Sequence, residues 1–598
     1  MSSPMRFASA LLILSLGACQ APPRLAAGDD GSGAAGLDAP VPELRAIGAV
    51  QGRGARSPLL GRQVTVQGVV VGNFATGLQG VFVQSEHDDG DPLTAEGIFI
   101  ARDAQAEPKL HSGDRVEASG RVSESGDEGV SLTTLRDAVV RVIGQGELAP
   151  TELRAPPEDW ERYEGMLLRI AAPLTVSGND SVASYGEILT SFDGRLVQPT
   201  EIAPPGPEVQ RLAAGNARRR LLLDDARGSK DPRSLWFLAH GLGETEPLRA
   251  GSTIEGATGV LDQRRGVYRL QLTEVLSVQQ APRPPAPSVA GDTRIASFNL
   301  LNLFNGDGKG GGFPTERGAL TPEQYARQQS KLVAVVQALA PDIAALMEVE
   351  NDGSDPDSTL AQFVAALNHA GPIRDYALVD TGARLGGDSI RVAMIYRRGR
   401  VHAGGNARLE GGPFTNRSRV TLAQAFRVGR GPAFVIAANH FKSKGCGHAP
   451  DQAQGADADQ HDGQGCWNPV RVESARRVAE WLATDPTHAG AQAPRLLIGD
   501  LNAHAQEDPL RLLRAAGYAD AFERMQVAHP YSFVFSGEAG RLDHALLDAR
   551  LAARLRGAAE WHLNSDEAEY FDYHNEAAQG PYRASDHDPI LLGLDLRE

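Results

Sequence analysis

Cysteine, aromatic residues, long apolar runs and positive charge are all in short supply in this sequence, and each scarcity narrows what the protein can be. Of 598 residues only Cys19, Cys446 and Cys466 are cysteine. Two thiols with His448 and His461 at no recognised finger spacing speak against a structural zinc site. Aromatics make up 6%, and those in the N-terminal strands (Phe74, Phe82, Phe99) sit where core residues belong. That favours a structural role there over base stacking. The run Phe7–Leu16 behind Arg6 is too short for an ordinary membrane-spanning helix, and no other stretch can span a bilayer. Lys and Arg number 59 against 75 Asp and Glu, a net charge of −16. This argues against a general nucleic-acid-coating surface, but it permits a local basic groove and suits recruitment of divalent cations.

What is present is a soluble globular composition: 41% hydrophobic, 22% charged, with 66 Gly and 37 Pro that point to much loop and β structure. The length predicts two to four domains. Leu16-Gly17-Ala18-Cys19 resembles a bacterial lipoprotein signal. The resemblance implies removal of residues 1–18 and a lipid on Cys19. Gln20, where Asp would retain the protein, implies an outer-membrane or extracellular location. The plainer alternative is a secretory peptide with an incidental cysteine. Residues 19–45, mostly Gly, Ala, Asp and Pro, have little to bury and read as a flexible tether. Outside the cytoplasm Cys446 and Cys466 are expected to form a disulfide. Closing a loop of about 20 residues contributes roughly 3 kcal/mol.

Along 46–149, short apolar stretches at close intervals, such as Val64–Val71, Gly80–Gln84 and Gly97–Ile100, predict a small β-barrel. A second β-rich region occupies 150–280, in which Asp224 and Asp225 read as a turn. Residues 281–290, with Ala-Pro-Arg-Pro-Pro-Ala-Pro, form a stiff linker. From 291 to 598 strands alternate with amphipathic helices (Tyr325–Leu339 has helical spacing), which predicts an α/β sandwich.

The chemistry gathers in that last part. Leu496-Leu497-Ile498 is a buried strand, Gly499 frees the backbone to turn, and Asp500 and Asn502 follow. A carboxylate and a carboxamide there can activate a water and hold a phosphate oxygen, although both also favour plain turns. Asn299, Glu348, His440, Asp543 and Asp586 with His587 likewise lie beside apolar strand-like runs. Six polar strand ends in one region are costly to bury unless they converge and pair.

In this order the contexts "IASFNLLNLF", "IAALMEVEN", "FVIAANHFKSK", "LLIGDLNAH", "RLDHALLD" and "SDHDPILL" resemble the endonuclease/exonuclease/phosphatase superfamily. They are most similar to its secreted bacterial nucleases, whose N-terminal segment is an OB-fold. The resemblance implies a multidomain chain: an N-terminal OB-like barrel and second β-rich region, then a four-layer α/β sandwich of the DNase I-like type. It implies Glu348 as a ligand of Mg²⁺ (with Mn²⁺ or Ca²⁺ as alternatives), Asn299 beside it and Asp586 assisting. Asp500 would orient or deprotonate the water and Asn502 would hold the phosphate. His587, its tautomer set by Asp543, would contact the phosphate, and His440 would protonate the leaving oxygen, with Asp388 a candidate to orient it. Arg391, Lys442 and Lys444 are candidates for flanking phosphates or simply solvated. Asp457, Asp459 and Asp462 are candidates for Ca²⁺ or a solvated acidic loop. The implied activity is extracellular, metal-dependent hydrolysis of nucleic acid, DNA foremost, with no protein partner. The alternatives are action on phospholipid or small phosphate esters, against which no membrane-docking hairpin is evident, and an inactive lipoprotein that only binds.

Overall fold

The computed structural model describes residues 43–597 apart from 128–129, 232–233, 383 and 450; Cys19 and the signal-like run lie outside the described residues. No helix among the described residues is long and apolar enough to cross a membrane.

Five strands, β1 (Gln63–Asn73), β2 (Gly80–Gln84), β3 (Gly97–Ala101), β4 (Asp114–Asp127) and β5 (Val130–Gln145), form a closed barrel in the order β1-β2-β3-β5-β4. The two-residue alternation sends Val64, Val66, Val81, Val83, Ile98 and Ile100 inward. Phe82 and Phe99, from the middle of β2 and β3, pack with Val260 of the following sheet and are buried. They are joints between sheets.

That following sheet has nine strands, from Thr151–Leu153 to Ser277–Gln279, and carries the helix Pro207–Arg219. The turn expected at Asp224 and Asp225 is present, their Oδ1 atoms accepting from Ala226 N at 3.0 Å and Arg227 N at 2.8 Å. Asp224 also ends a strand and accepts from the buried Arg269 guanidinium at 2.7 Å. The proline-rich segment 281–290 is packed along its length. Pro284 O accepts from Trp561 Nε1 at 2.9 Å, and Arg283 grips Glu567 with Nε and Nη2 at 3.0 and 2.8 Å.

The C-terminal half holds two six-stranded sheets. Ile295, Ile343, Ala345 and Met347 of one meet Leu422, Ile436, Leu496 and Ile498 of the other between the sheets. Their sequence neighbours point outward onto helices. Ala296, Phe298 and Leu346 pack on Leu332, Val336, Phe363 and Leu367 from the helices Pro322–Leu339 and Thr359–Ala370. Ala437 and Leu497 pack on Val478, Leu482, Leu510 and Leu513 from Asn468–Ala483 and Asp508–Ala515. Continuous apolar runs become central strands here because both faces are covered. The result is four layers, α/β/β/α. The helix Pro322–Leu339 starts where Thr321 caps it, its hydroxyl accepting from Gln324 N, with proline at the first position.

Within the second sheet, Phe434–His440 pairs in parallel with Arg495–Asp500, which pairs antiparallel with Asp543–Leu547. Gly499 does not begin a turn. It lies inside the strand at φ +132°, and a Cβ there would stand 2.1 Å from Asn439 O. Glycine is required because the neighbouring strand approaches too closely for any side chain.

Candidate active site

The register just described sets His440 opposite Asp500 and Asp500 opposite Asp543. From the facing sheet come Asn299, near the end of Thr293–Leu303, and Glu348, near the end of Ile343–Glu350. Asp586 and His587 precede the strand Ile590–Leu594 of that same sheet. Glu348, His440, Asp500, Asn502, Asp586 and His587 all line one cavity of about 980 Å³. Glu348 at φ +59° and Asn502 at φ +49° hold left-handed backbone conformations. For non-glycine residues each costs of order 1–3 kcal/mol, and such strain collects at functional sites.

Asp500 is the hub. Its Oδ2 lies 3.4 Å from His440 Nε2 and 3.9 Å from His587 Nε2, and accepts from Asn299 Nδ2 at 3.3 Å. Its Oδ1 accepts from Asn502 N at 2.9 Å, so this pair is both a turn and part of the site. His587 Nδ1 lies 2.7 Å from Asp543 Oδ2, which also accepts from Ser532 Oγ, and the Phe533 ring packs at 4.7 Å on the imidazole. Glu348 Oε2 accepts from Asn302 N at 3.1 Å, and its Oε1 is 3.8 Å from His440 Nε2.

Burial sets the charges. It pushes the Asp500 carboxyl up to about 7. Burial and the neighbouring Asp586 raise Glu348. Burial, then Arg419, holds His440 well below the usual imidazole range, so it is neutral. Burial opposes charge on His587 too, but Asp543, Asp586 and Asp500 outweigh it and hold that ring well above its usual range. One histidine is therefore neutral and the other cationic.

Several expectations need correction. Asp388 does not orient His440; it pairs with Arg317 and Arg419 at 3.3 and 3.2 Å, and His440 Nδ1 has no hydrogen-bond partner among the described residues. Arg391 does not reach the cavity: it is 1% exposed and donates to Gly353 O and Thr381 Oγ1, holding a loop. Lys442 stands over the Trp467 ring, while Lys444 lines the cavity but is bound to the buried Glu507. Asn299 is 1% exposed and, as expected, lies beside Glu348, which it hydrogen-bonds, as well as behind Asp500.

Cys446 and Cys466 are disulfide-bonded, which removes the zinc alternative. Asp459, His461 and Gly463 from the loop they close line the cavity wall. Asp459 and Asp462 accept from the backbone of His461 and Gln464, each capping its own turn. Among the described residues the one acidic trio close enough to share an ion is Asp88, Asp89 and Glu96 in the barrel, outside this cavity.

Sequence reasoning missed Arg317 and Arg419, which line the cavity, and Phe533, Phe535, His504 and Gln198 beside them. They lie in loops and near strand starts, so no strand-end pattern marks them. The donors present fit a hard cation. Glu348 and Asp586 offer carboxylate oxygens at the cavity, and Mg²⁺ is commonly held by one or two carboxylates plus substrate phosphate.

Residues 296–587 match the Endonuclease/Exonuclease/phosphatase family. The C-terminal half of the chain belongs to that family. Members of the Endonuclease/Exonuclease/phosphatase family are hydrolases of phosphodiesters or phosphate esters. The human Nocturnin catalytic domain with bound sulfate is similar at 17% identity and TM-score 0.33, over 51% of this chain and 94% of its own. TDP2 of D. rerio, complexed with single-strand DNA product, aligns at 14% identity and TM-score 0.32 over 50% of this chain and 97% of its own. The mannosyl-6-phosphatase Bt3783 of Bacteroides thetaiotaomicron aligns at 15% identity and TM-score 0.31, over 51% and 99%. No curated protein matches the chain by sequence.

His504 offers a clean pH readout. It is buried, its Nδ1–H donates to Arg541 O at 3.0 Å, and burial, then Lys444, depresses its pKa well below 6.5. A depressed histidine binds protons more readily in the unfolded chain, so its stabilisation is present above the unfolded value and is lost as pH falls below it. Melting temperature should therefore fall as pH drops below about 6.5, the ordinary imidazole value. The slope should be shallower in His504→Gln.

Proposed function

We propose that this protein is an exported, divalent-metal-dependent phosphodiester hydrolase acting on nucleic acid, DNA foremost. The observation that carries the reading is the convergence of Asp500, Asn502, His440 and the Asp543–His587 pair on one cavity edged by Arg317 and Arg419.

Asp500, with its pKa near neutrality, takes a proton from a water held beside Asn502. The water oxygen attacks phosphorus, and the P–O bond to the leaving group breaks. Cationic His587 faces the phosphate and has a proton to give to the leaving oxygen, whereas neutral His440 does not. The role first expected of His440 therefore passes to His587, and His440 acts through its contact with Asp500. Arg317 and Arg419, paired through Asp388, supply positive charge for the developing oxyanions. Glu348 and Asp586 would hold a divalent cation, Mg²⁺ first, which polarises the phosphoryl group when bound. The five-stranded barrel is read as an OB-type accessory. Its buried aromatics favour a supporting role over binding single strands. An anchor on Cys19 would place the enzyme at the outer membrane.

Supercoiled plasmid, linear DNA and RNA, each with and without EDTA, test the activity. Cleavage abolished by EDTA and restored by Mg²⁺ is expected. Asp500→Asn and His587→Ala should each lose at least about a hundredfold in kcat, the lower end of a general acid–base contribution. Glu348→Gln should raise the Mg²⁺ concentration for half-maximal activity. Wild-type cleavage by folded His587→Ala would place the active site elsewhere.

Anchoring has its own test. Mass spectrometry of the mature protein should find a lipidated Cys19 at the N-terminus, and Cys19→Ser should release the protein from membranes. An unlipidated N-terminus at another residue of membrane-bound wild type would refute it.

A further inference from the structure

The helical turn Pro199–Ile202 belongs to the chain well before the family-matched half, yet it reaches the mouth of the catalytic cavity. The strand ahead of it, Leu196–Val197, pairs in parallel with Glu538–Gly540, and Gln198 lines the cavity. Thr200 O accepts from Gln506 N at 2.9 Å, and Thr200 Oγ1 donates to Glu507 at 2.8 Å. Glu201 reaches two loops at once. Its Oε2 accepts the backbone N–H of Ala505 at 3.1 Å and of Arg541 at 3.2 Å, and its Oε1 accepts from Arg541 Nε at 2.7 Å. Ala505 lies in the loop that leaves Asp500 and Asn502; Arg541 lies two residues before Asp543. The Glu201 side chain is 8% exposed and that of Arg541 3%. Asp520 holds the far side of Arg541 through Nη1 at 3.0 and 3.1 Å.

We propose that Glu201 is a positioning residue for phosphoester hydrolysis, one carboxylate that ties the loop after Asp500, which carries Asn502, to the loop that leads into Asp543. The proposal rests on the function given above. The physical case is that all three bonds are charge-assisted and partly buried, so they hold their donors firmly. Without the carboxylate, two buried backbone N–H groups and a guanidinium nitrogen lack an acceptor, a cost relieved only if the loops move. Asn502 sits on one loop, just past the strand end that carries Asp500, and the other loop leads into Asp543, which holds His587. The movement therefore falls on Asn502 and on the strand ends that carry the base and the partner of the acid. A misplacement of about 1 Å can cost on the order of a hundredfold in rate. Glu348 and Asp586 come from the facing sheet, outside the contacts of Glu201, so metal binding is spared.

The test uses the full chain as wild type, Glu201→Gln, Glu201→Asp and Arg283→Met. Arg283→Met is the control: it cuts another long-range tie, the one to Glu567, away from both catalytic loops. Turnover of bis(p-nitrophenyl) phosphate with Mg²⁺, melting temperature and amide hydrogen exchange are measured on each. Glu201→Gln should lower kcat by at least about tenfold, with KM and the half-saturating Mg²⁺ concentration nearly unchanged. Exchange should rise together in 501–507 and 541–543. Glu201→Asp, which keeps the charge but shortens the reach, should fall between, and it serves if the glutamine variant does not fold. Arg283→Met should melt earlier and keep its kcat. Equal kcat losses in Glu201→Gln and Arg283→Met, or faster exchange in only one loop, would overturn the proposal. If wild type turns over no ester, the proposed function fails, while the exchange comparison still decides whether Glu201 joins the two loops.

Discussion

In-register pairing of three strands, Phe434–His440, Arg495–Asp500 and Asp543–Leu547, is the constraint on which the site depends. Backbone hydrogen bonds place His440, Asp500 and Asp543 in one row, and no side-chain interaction has to find that order. A slip of one residue would exchange the inward and outward faces, putting Leu497 between the sheets and Ile498 against the helices. Gly499 is part of the same constraint, because only glycine lets Asn439 O come so near.

Once the row is fixed, electrostatics follow from burial. Asp500, Asp543, His440 and His587 are almost inaccessible to solvent, so each charge must be answered by a neighbour. Asp543 answers His587 directly; Asp500 is left with two imidazoles and an amide, and drifts toward neutrality. Glu348 and Asn502 hold left-handed conformations where their strands end at the cavity, a place where such strain collects.

The region before residue 281 is bound into the C-terminal half by buried arginines. Arg249 pairs with Glu567 at 2.6 Å, and Arg541 with Glu201 and Asp520. Such ties contribute little net stability against well-packed apolar residues, but breaking one partner leaves an uncompensated buried charge. They fix geometry, and at Glu201 the geometry they fix is that of the loops beside Asp500 and Asp543.

Much was legible in the residues alone. Apolar runs ending in Asn299, Glu348, His440, Asp500 and Asp543 read as buried strands with polar ends, since a covered strand must be apolar until it leaves the core. The small barrel and the Cys446–Cys466 bond followed from alternation and from cysteine arithmetic. Side-chain partners were a different matter. Arg391 and Lys444 look like free cations in a sequence, but one is spent on a loop carbonyl and the other on Glu507. Arg317, Arg419 and Glu201 bear no local mark because their roles arise from contacts across long stretches of chain. Periodicity along the chain determines which residues are buried; only the folded arrangement decides which charge meets which, because that depends on distances no spacing encodes.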